Sequence, residues 1–267
     1  MEGKLFAEAP DIPLKLIQGI VDCKEFVVYD GDVFCLTGRN TLIALSSGEE
    51  YKFYGDVLKM GIHGHYIYLV FRTSKIIVFD VIRREVVINF QGIEGCIKKA
   101  VVDSSGMHFL SSDGCLYRST FEDVRYMKDS AMHAVRGGNP TIQNFWVHGD
   151  SVFYTTCYGH VYKDSEMVLK VFDTVKLIVP KREYLYVVTE GNMLLKYDAI
   201  KWRVLCRENI EGLNVIGNGV IGWNGIAVDL LKEVRMRVPK DTRWIERYGK
   251  TIYISTLAGI FSGSLSD

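Results

Sequence analysis

Tyr184-Leu-Tyr-Val-Val-Thr-Glu-Gly-Asn-Met-Leu-Leu-Lys-Tyr-Asp198 is the stretch whose reading decides the fold. A run of branched and aromatic residues is followed by a polar, glycine-containing turn and a second apolar run. Two such runs around a short glycine turn read as a β-hairpin. The same construction returns as Asp32–Gly38 with Asn40–Leu45, His65–Val70 with Lys75–Asp80, and Met107–Arg118. It returns again as Ser151–Tyr162, Gly219–Asp229 and Thr251–Phe261. The hairpins start at residues 32, 65, 107, 151, 184, 219 and 251.

Other short strand-like segments flank these hairpins. Lys176–Val179 and Trp244–Arg247 precede one, while Glu85–Phe90, Trp202–Cys206 and Glu233–Val238 follow one. Four short antiparallel strands per unit, repeating at about 38 residues, is the construction of a propeller blade, whose repeat is ~40–45 residues. The expected fold class is therefore all-β: a seven-bladed β-propeller forming a single domain over residues 1–267. The chain ends supply a separate argument. The last unit stops after its third strand, and a spare apolar segment lies within Lys4–Ile20. An N-terminal strand completing the last blade would remove two sheet edges at once. A pair of β-sandwiches would not give seven similar hairpins at regular spacing, and a β-helix would need shorter repeats.

Composition agrees. The chain has 29 Val and 23 Ile against 9 Ala, the balance expected of pleated sheet rather than helix. Lys plus Arg equals Asp plus Glu at 32 each, which argues against wrapping nucleic acid or lying on anionic lipid. No window is long and apolar enough for a signal peptide or a membrane span, so no membrane insertion is expected. The six cysteines (Cys23, Cys35, Cys96, Cys115, Cys157 and Cys206) contain no CxxC pair. Cys35, Cys115 and Cys157 fall in apolar strand patterns and read as buried thiols. Together these features point to a reduced, intracellular protein, cytoplasmic or nuclear.

Lys75-Ile-Ile-Val-Phe-Asp80 resembles the third strand of a WD repeat, with Phe79-Asp80 in place of Trp-Asp. Tyr197-Asp198 and Val228-Asp229 echo it, and Ser111-Ser112-Asp113-Gly114 resembles that family's turn between second and third strands. Asn40–Gly48 looks more like a quinoprotein-type repeat. The chain thus resembles a degenerate WD-repeat-like or quinoprotein-like β-propeller, and no unit carries both Gly-His and Trp-Asp. The WD-repeat resemblance implies a scaffold in assemblies such as RNA-processing, ribosome-assembly, trafficking or ubiquitin-ligase complexes.

Linear motifs of catalysis are few. Gly217-Asn-Gly219-Val-Ile-Gly222 matches GxGxxG, but a strand rather than a helix follows, so a turn is the better reading. His63-Gly64-His65 offers two imidazoles without a third ligand at recognisable spacing and reads as a loop into blade 2. No metal, no cofactor and no obligate small molecule are expected. His108, His133, His148 and His160 are dispersed. GxSxG, SxxK and Walker-type sequences do not occur.

Interaction residues are therefore sought in loops. Turns joining second and third strands share one face of a propeller and would present Arg39, Arg72, Asp113, Tyr158, Glu190 and Asn224 to a partner. The segment Phe121–Thr141, joining blades 3 and 4, adds Met127, Met132 and Arg136. Lys232, Arg235, Arg237, Lys240 and Arg243 offer RNA a basic row, although alternation at Arg235 and Arg237 also marks a solvent-facing outer strand. The expected function is a non-catalytic protein-interaction scaffold within an intracellular multiprotein or ribonucleoprotein complex. The alternative is a propeller enzyme or small-ligand binder of lactonase or lyase type, with its site at the central channel.

Overall fold

The first run of each hairpin becomes the second strand of its unit, and it is sandwiched between neighbouring sheets. In the computed structural model Asp32–Thr37, Tyr66–Phe71 and Tyr184–Thr189 each bury every residue after the first. A strand covered on both faces tolerates no alternation of polar and apolar positions, which is why these runs read as continuous. The structure describes residues 14–264, apart from 19–21, 93–94, 104–105, 127–132, 137–138, 140, 149–150, 182–183, 199, 217–218, 225 and 231–234.

The strands form seven four-stranded antiparallel sheets arranged as a seven-bladed propeller. Six blades run in chain order from the axis outward, as blade 1 does with Cys23–Tyr29, Asp32–Thr37, Thr41–Ala44 and Glu49–Lys52. The inner strands of blades 2 to 7 are Val57–His63, Ile97–Asp103, Ile142–His148, Val175–Lys181, Gly212–Ile216 and Trp244–Tyr248. Blade 7 is built from both ends of the chain. Its outer strand, Lys15–Gln18, pairs antiparallel with Ile260–Ser264 through Lys15↔Ser262 and Leu16↔Phe261. The spare N-terminal segment thus closes the ring as its sequence led us to expect.

The core is divided among the blade interfaces. Phe34 and Leu36 of blade 1 pack with Ile67 and Leu69 of blade 2. Tyr68 and Val70 of blade 2 pack with Met107 and Phe109 of blade 3. The series continues around the circle until Tyr253 and Ile260 of blade 7 meet Phe26 and Val33 of blade 1. Each fully buried aliphatic or aromatic side chain stabilises by about 1.5–3 kcal/mol, so removing one blade exposes two interfaces. Near the axis the strands converge tightly. A Cβ on Gly61 would stand 2.3 Å from Val102 Cγ1 across the contact of blades 2 and 3, so only glycine fits there.

Two expectations change. Phe121–Thr141 is more than a loop between blades 3 and 4, because it supplies the outer strand of blade 3, His133–Arg136. It also holds a short helix, Phe121–Arg125, capped by Thr120, whose side chain accepts from the Asp123 amide. Phe121 and Val124 are buried against blades 2 and 3, which anchors the segment. Cys35 is buried as expected, but Cys157 is exposed and Cys115 half-buried, because both fall in turns beyond their strands.

Candidate functional site

Every inner strand begins by pairing its first residue with the last residue of the second strand, as in Cys23↔Thr37 and Trp244↔Ser255. In blades 1 to 5 the next residue is a β-bulge. Bulges re-aim the side chains beside them. The third residues of the seven inner strands are Glu25, Lys59, Lys99, Asn144, Leu177, Asn214 and Glu246. Six of these are polar, in strands that are otherwise largely apolar, and they form a belt around the axis.

The belt is tied from blade to blade. Glu25 Oε1 accepts from Lys59 Nζ at 2.6 Å, and its second oxygen accepts from the Met60 amide at 2.7 Å. Lys59 also lies 4.4 Å above the Trp244 ring, a cation–π contact reaching back to blade 7. Lys99 Nζ donates to Asn144 Oδ1 at 2.6 Å, and Asn144 Nδ2 donates to the Val175 carbonyl at 2.9 Å. Asn214 Nδ2 donates to the Ile245 carbonyl at 3.1 Å. Lysines at bulge positions do the same: Lys24 donates to the Val57 carbonyl, Lys98 to that of Ile142 and Lys176 to that of Ile210.

Burial has separated the titrations of this belt. Desolvation, helped by repulsion from Lys59, lowers Lys99 to about 8. Desolvation raises the carboxyl of Glu246 above the usual glutamate range. Both groups line a central cavity of about 710 Å³, which follows the axis past all but one of the belt residues. Its walls include Val28, Leu58, Ile62, Val102, Leu177 and Leu213. Among the described residues no histidine lines it, and no cluster of His, Cys, Asp or Glu fit for a metal ion occurs. His63 instead stacks on Phe121 at 4.1 Å, and His65 lies 3.8 Å from the buried Asp80. Of the GxGxxG stretch, residues 219–222 fall in the strand Gly219–Trp223 of blade 6, and its first two residues lie outside the described residues.

The six turn residues chosen from the sequence do share a face. The turns of blades 1 to 5 bond back to the chain entering their own inner strand, through Gly38 N to Asp22 O, Arg72 N to Asp56 O, Ser112 N to Cys96 O, Cys157 N to Thr141 O and Glu190 N to Thr174 O. In blade 6 the bond is reversed, from Glu211 N to Trp223 O. Arg39, Arg72, Asp113, Tyr158 and Glu190 are exposed and Asn224 is half-buried, one to a blade. They ring the face rather than converge. Arg136 lies on the outer strand of blade 3, while Met127 and Met132 lie outside the described residues. Of the basic row, Arg235 and Arg237 share the outer strand of blade 6, Arg243 pairs with Asp22 at 3.2 Å on the turn face, and Lys232 lies outside the described residues.

Sequence reasoning missed two features. One is the belt, whose signal is a polar residue in third place of the strand preceding six of the seven hairpins. The other is Phe172, in the connection from blade 4 to blade 5, whose side chain is 98% exposed. Val171 N donates to Gly159 O at 2.9 Å, which sets Phe172 beside the turn carrying Tyr158, itself 67% exposed.

No family model matches the chain, and no curated protein matches it. Solved structures do. A computationally designed protein, Ika8, aligns with a TM-score of 0.62 at 10% identity, over 91% of this chain and 83% of that one. PorZ, a surface component of the type-IX secretion system of Porphyromonas gingivalis, aligns at 0.58 and 14% identity, over 89% of this chain and only 36% of its own length. BamB from Moraxella catarrhalis aligns at 0.55 and 11% identity, over 89% and 80%. At such identities the likeness shows the fold alone, and the fold to which this chain belongs is the β-propeller.

Proposed function

We propose that this propeller is a non-catalytic docking platform, used in the manner of WD-repeat scaffolds within an intracellular protein or ribonucleoprotein complex. The observation that carries the reading is the exposure of two aromatic side chains on neighbouring loops of the turn face, Phe172 at 98% and Tyr158 at 67%. Leaving a phenyl ring wholly in water forgoes its burial energy, and aromatic anchors of this kind concentrate binding energy at protein interfaces. Arg72, Asp113 and Glu190 supply a polar rim on the same face.

The test is purification from the native cell at physiological salt, comparing the natural chain with Phe172→Ser/Tyr158→Ser. A stoichiometric protein partner should accompany the natural chain and be lost from the variant. Recovery of both as lone monomers would overturn the reading. Loss of the partner on ribonuclease treatment alone would assign docking to RNA instead.

The polar belt favours a second reading, that of a small-ligand binder at the channel.

A further inference from the structure

We propose that the central cavity binds a small organic carboxylic acid with an apolar body, its carboxylate seated on the Lys99 ammonium. The site is independent of the docking face, because it needs no partner protein.

Its size, about 710 Å³, falls within the roughly 300–1,000 Å³ of small-molecule pockets. The lining follows the inner strand of blade 3 continuously from Lys98 to Asp103, roughly 17 Å of extended chain. Charge is distributed unevenly. The whole chain is neutral, yet five basic residues (Lys59, Lys98, Lys99, Lys181 and Arg247) face the cavity with three acidic ones (Glu25, Asp103 and Glu246).

Most of those cations are already engaged. Lys59 is held by Glu25 and Trp244, Lys98 by the Ile142 carbonyl, and Arg247 Nε by the Gly249 carbonyl. Lys99 differs. Its hydrogen bond goes to a neutral acceptor, Asn144 Oδ1, and no carboxylate among the described residues lies within ion-pair distance. A lysine ammonium has three N–H donors, so two remain for a ligand. An ammonium withdrawn from water without a counter-charge is costly, and an incoming anion offsets that cost.

The donor set also selects the anion. One ammonium matches a single negative charge. A phosphate dianion calls for a guanidinium fork or a nest of backbone amides as well, and this belt supplies neither at Lys99. The apolar walls beyond the belt suit a hydrocarbon or aromatic body.

Calorimetry on the purified protein tests the site with octanoate, benzoate and inorganic phosphate as probes. Octanoate or benzoate should bind saturably at one per chain, and phosphate about tenfold more weakly or not at all. A charge-assisted hydrogen bond is worth enough that Lys99→Met should weaken carboxylate binding about tenfold or more. A second measurement needs no variant. Labelling of lysines by trinitrobenzenesulfonate, mapped by mass spectrometry, should be slowed by octanoate at Lys99 and unchanged at the exposed Lys52. Carboxylate binding that is absent at millimolar concentration, no tighter than phosphate, or unchanged in Lys99→Met would overturn the proposal, as would unprotected labelling of Lys99. Because all readouts use the isolated chain, failure here leaves the docking reading untouched, and the reverse also holds.

Discussion

Two neighbouring layers of each blade, the inner strand and the strand directly behind it, obey different rules. Behind, Gly106–Ser111 and Thr251–Ser255 are buried almost throughout, as are Asp32–Thr37, Tyr66–Phe71 and Tyr184–Thr189, while Ser151–Thr156 of blade 4 buries only its last three residues. In front, Cys23–Tyr29 and Ile97–Asp103 alternate between buried and open positions, and the third residue changes from blade to blade. The rear layer is covered by a neighbouring blade on each side, so apolar volume dominates it, with small hydroxyl residues such as Thr37, Thr189 and Ser255 buried where its strands end. The front layer faces the channel, where charge can be met by charge from the next blade. Repetition therefore encodes the ring, and departure from repetition encodes the site.

The largest effect should come from breaking the rear layer. Phe109 is fully buried in the interface of blades 2 and 3, beside Tyr68, Val70 and Met107. Phe109→Ala should destabilise by about 3–5 kcal/mol, through lost transfer energy and the cavity left behind. Denaturant unfolding measures it. A loss under about 1 kcal/mol would mean that the interfaces are not the seat of stability.

This division explains what was legible in the sequence. All seven hairpins and the closing strand could be read because strands such as Tyr66–Phe71 are apolar without interruption and end in glycine or polar turns. The belt could not be read in the same way. Glu25, Lys59 and Lys99 are ordinary charged residues one by one, and only the bulge before each and the convergence of seven strands make them neighbours. The turn residues could be assigned to one common face, because topology alone puts them there. Phe172 escaped notice because an isolated phenylalanine between two strands reads as core, and only its surroundings show that nothing covers it.

An intermediate effect, of opposite sign, is expected in the belt. Lys99 in the folded chain titrates at about 8, below the ordinary lysine value of 10.5. Below pH 8 both folded and unfolded chains carry the proton, and the full cost of burying the charge is present. Between about 8 and 10.5 the folded chain sheds it while the unfolded chain keeps it, so stability rises with pH. Lys99→Met should therefore stabilise the protein at pH 7 by roughly 2 kcal/mol, the lost Asn144 hydrogen bond deducted. That advantage should vanish as the pH approaches 10.5. Paired unfolding curves across this range give the difference directly, and an advantage independent of pH would remove the desolvation argument.

The smallest effect belongs to the rim, and it sharpens the contrast from the other side. Arg72 Nε and Asp56 Oδ2 are 2.7 Å apart, against 2.6 Å for Lys59 and Glu25 in the belt, yet both side chains are half exposed at 50%. That hydrogen bond holds Asp56 below the usual carboxylate range, which shows contact but not stability, since water screens the charges and ordering two side chains costs entropy. The turn itself is secured by the backbone bond from Arg72 N to Asp56 O at 2.8 Å, which alanine keeps. Arg72→Ala should thus change stability by no more than about 0.5 kcal/mol in denaturant unfolding. A loss approaching that of Phe109→Ala would mean that the turns share in holding the ring together, and the face could no longer be treated as a surface free to vary without cost to the fold.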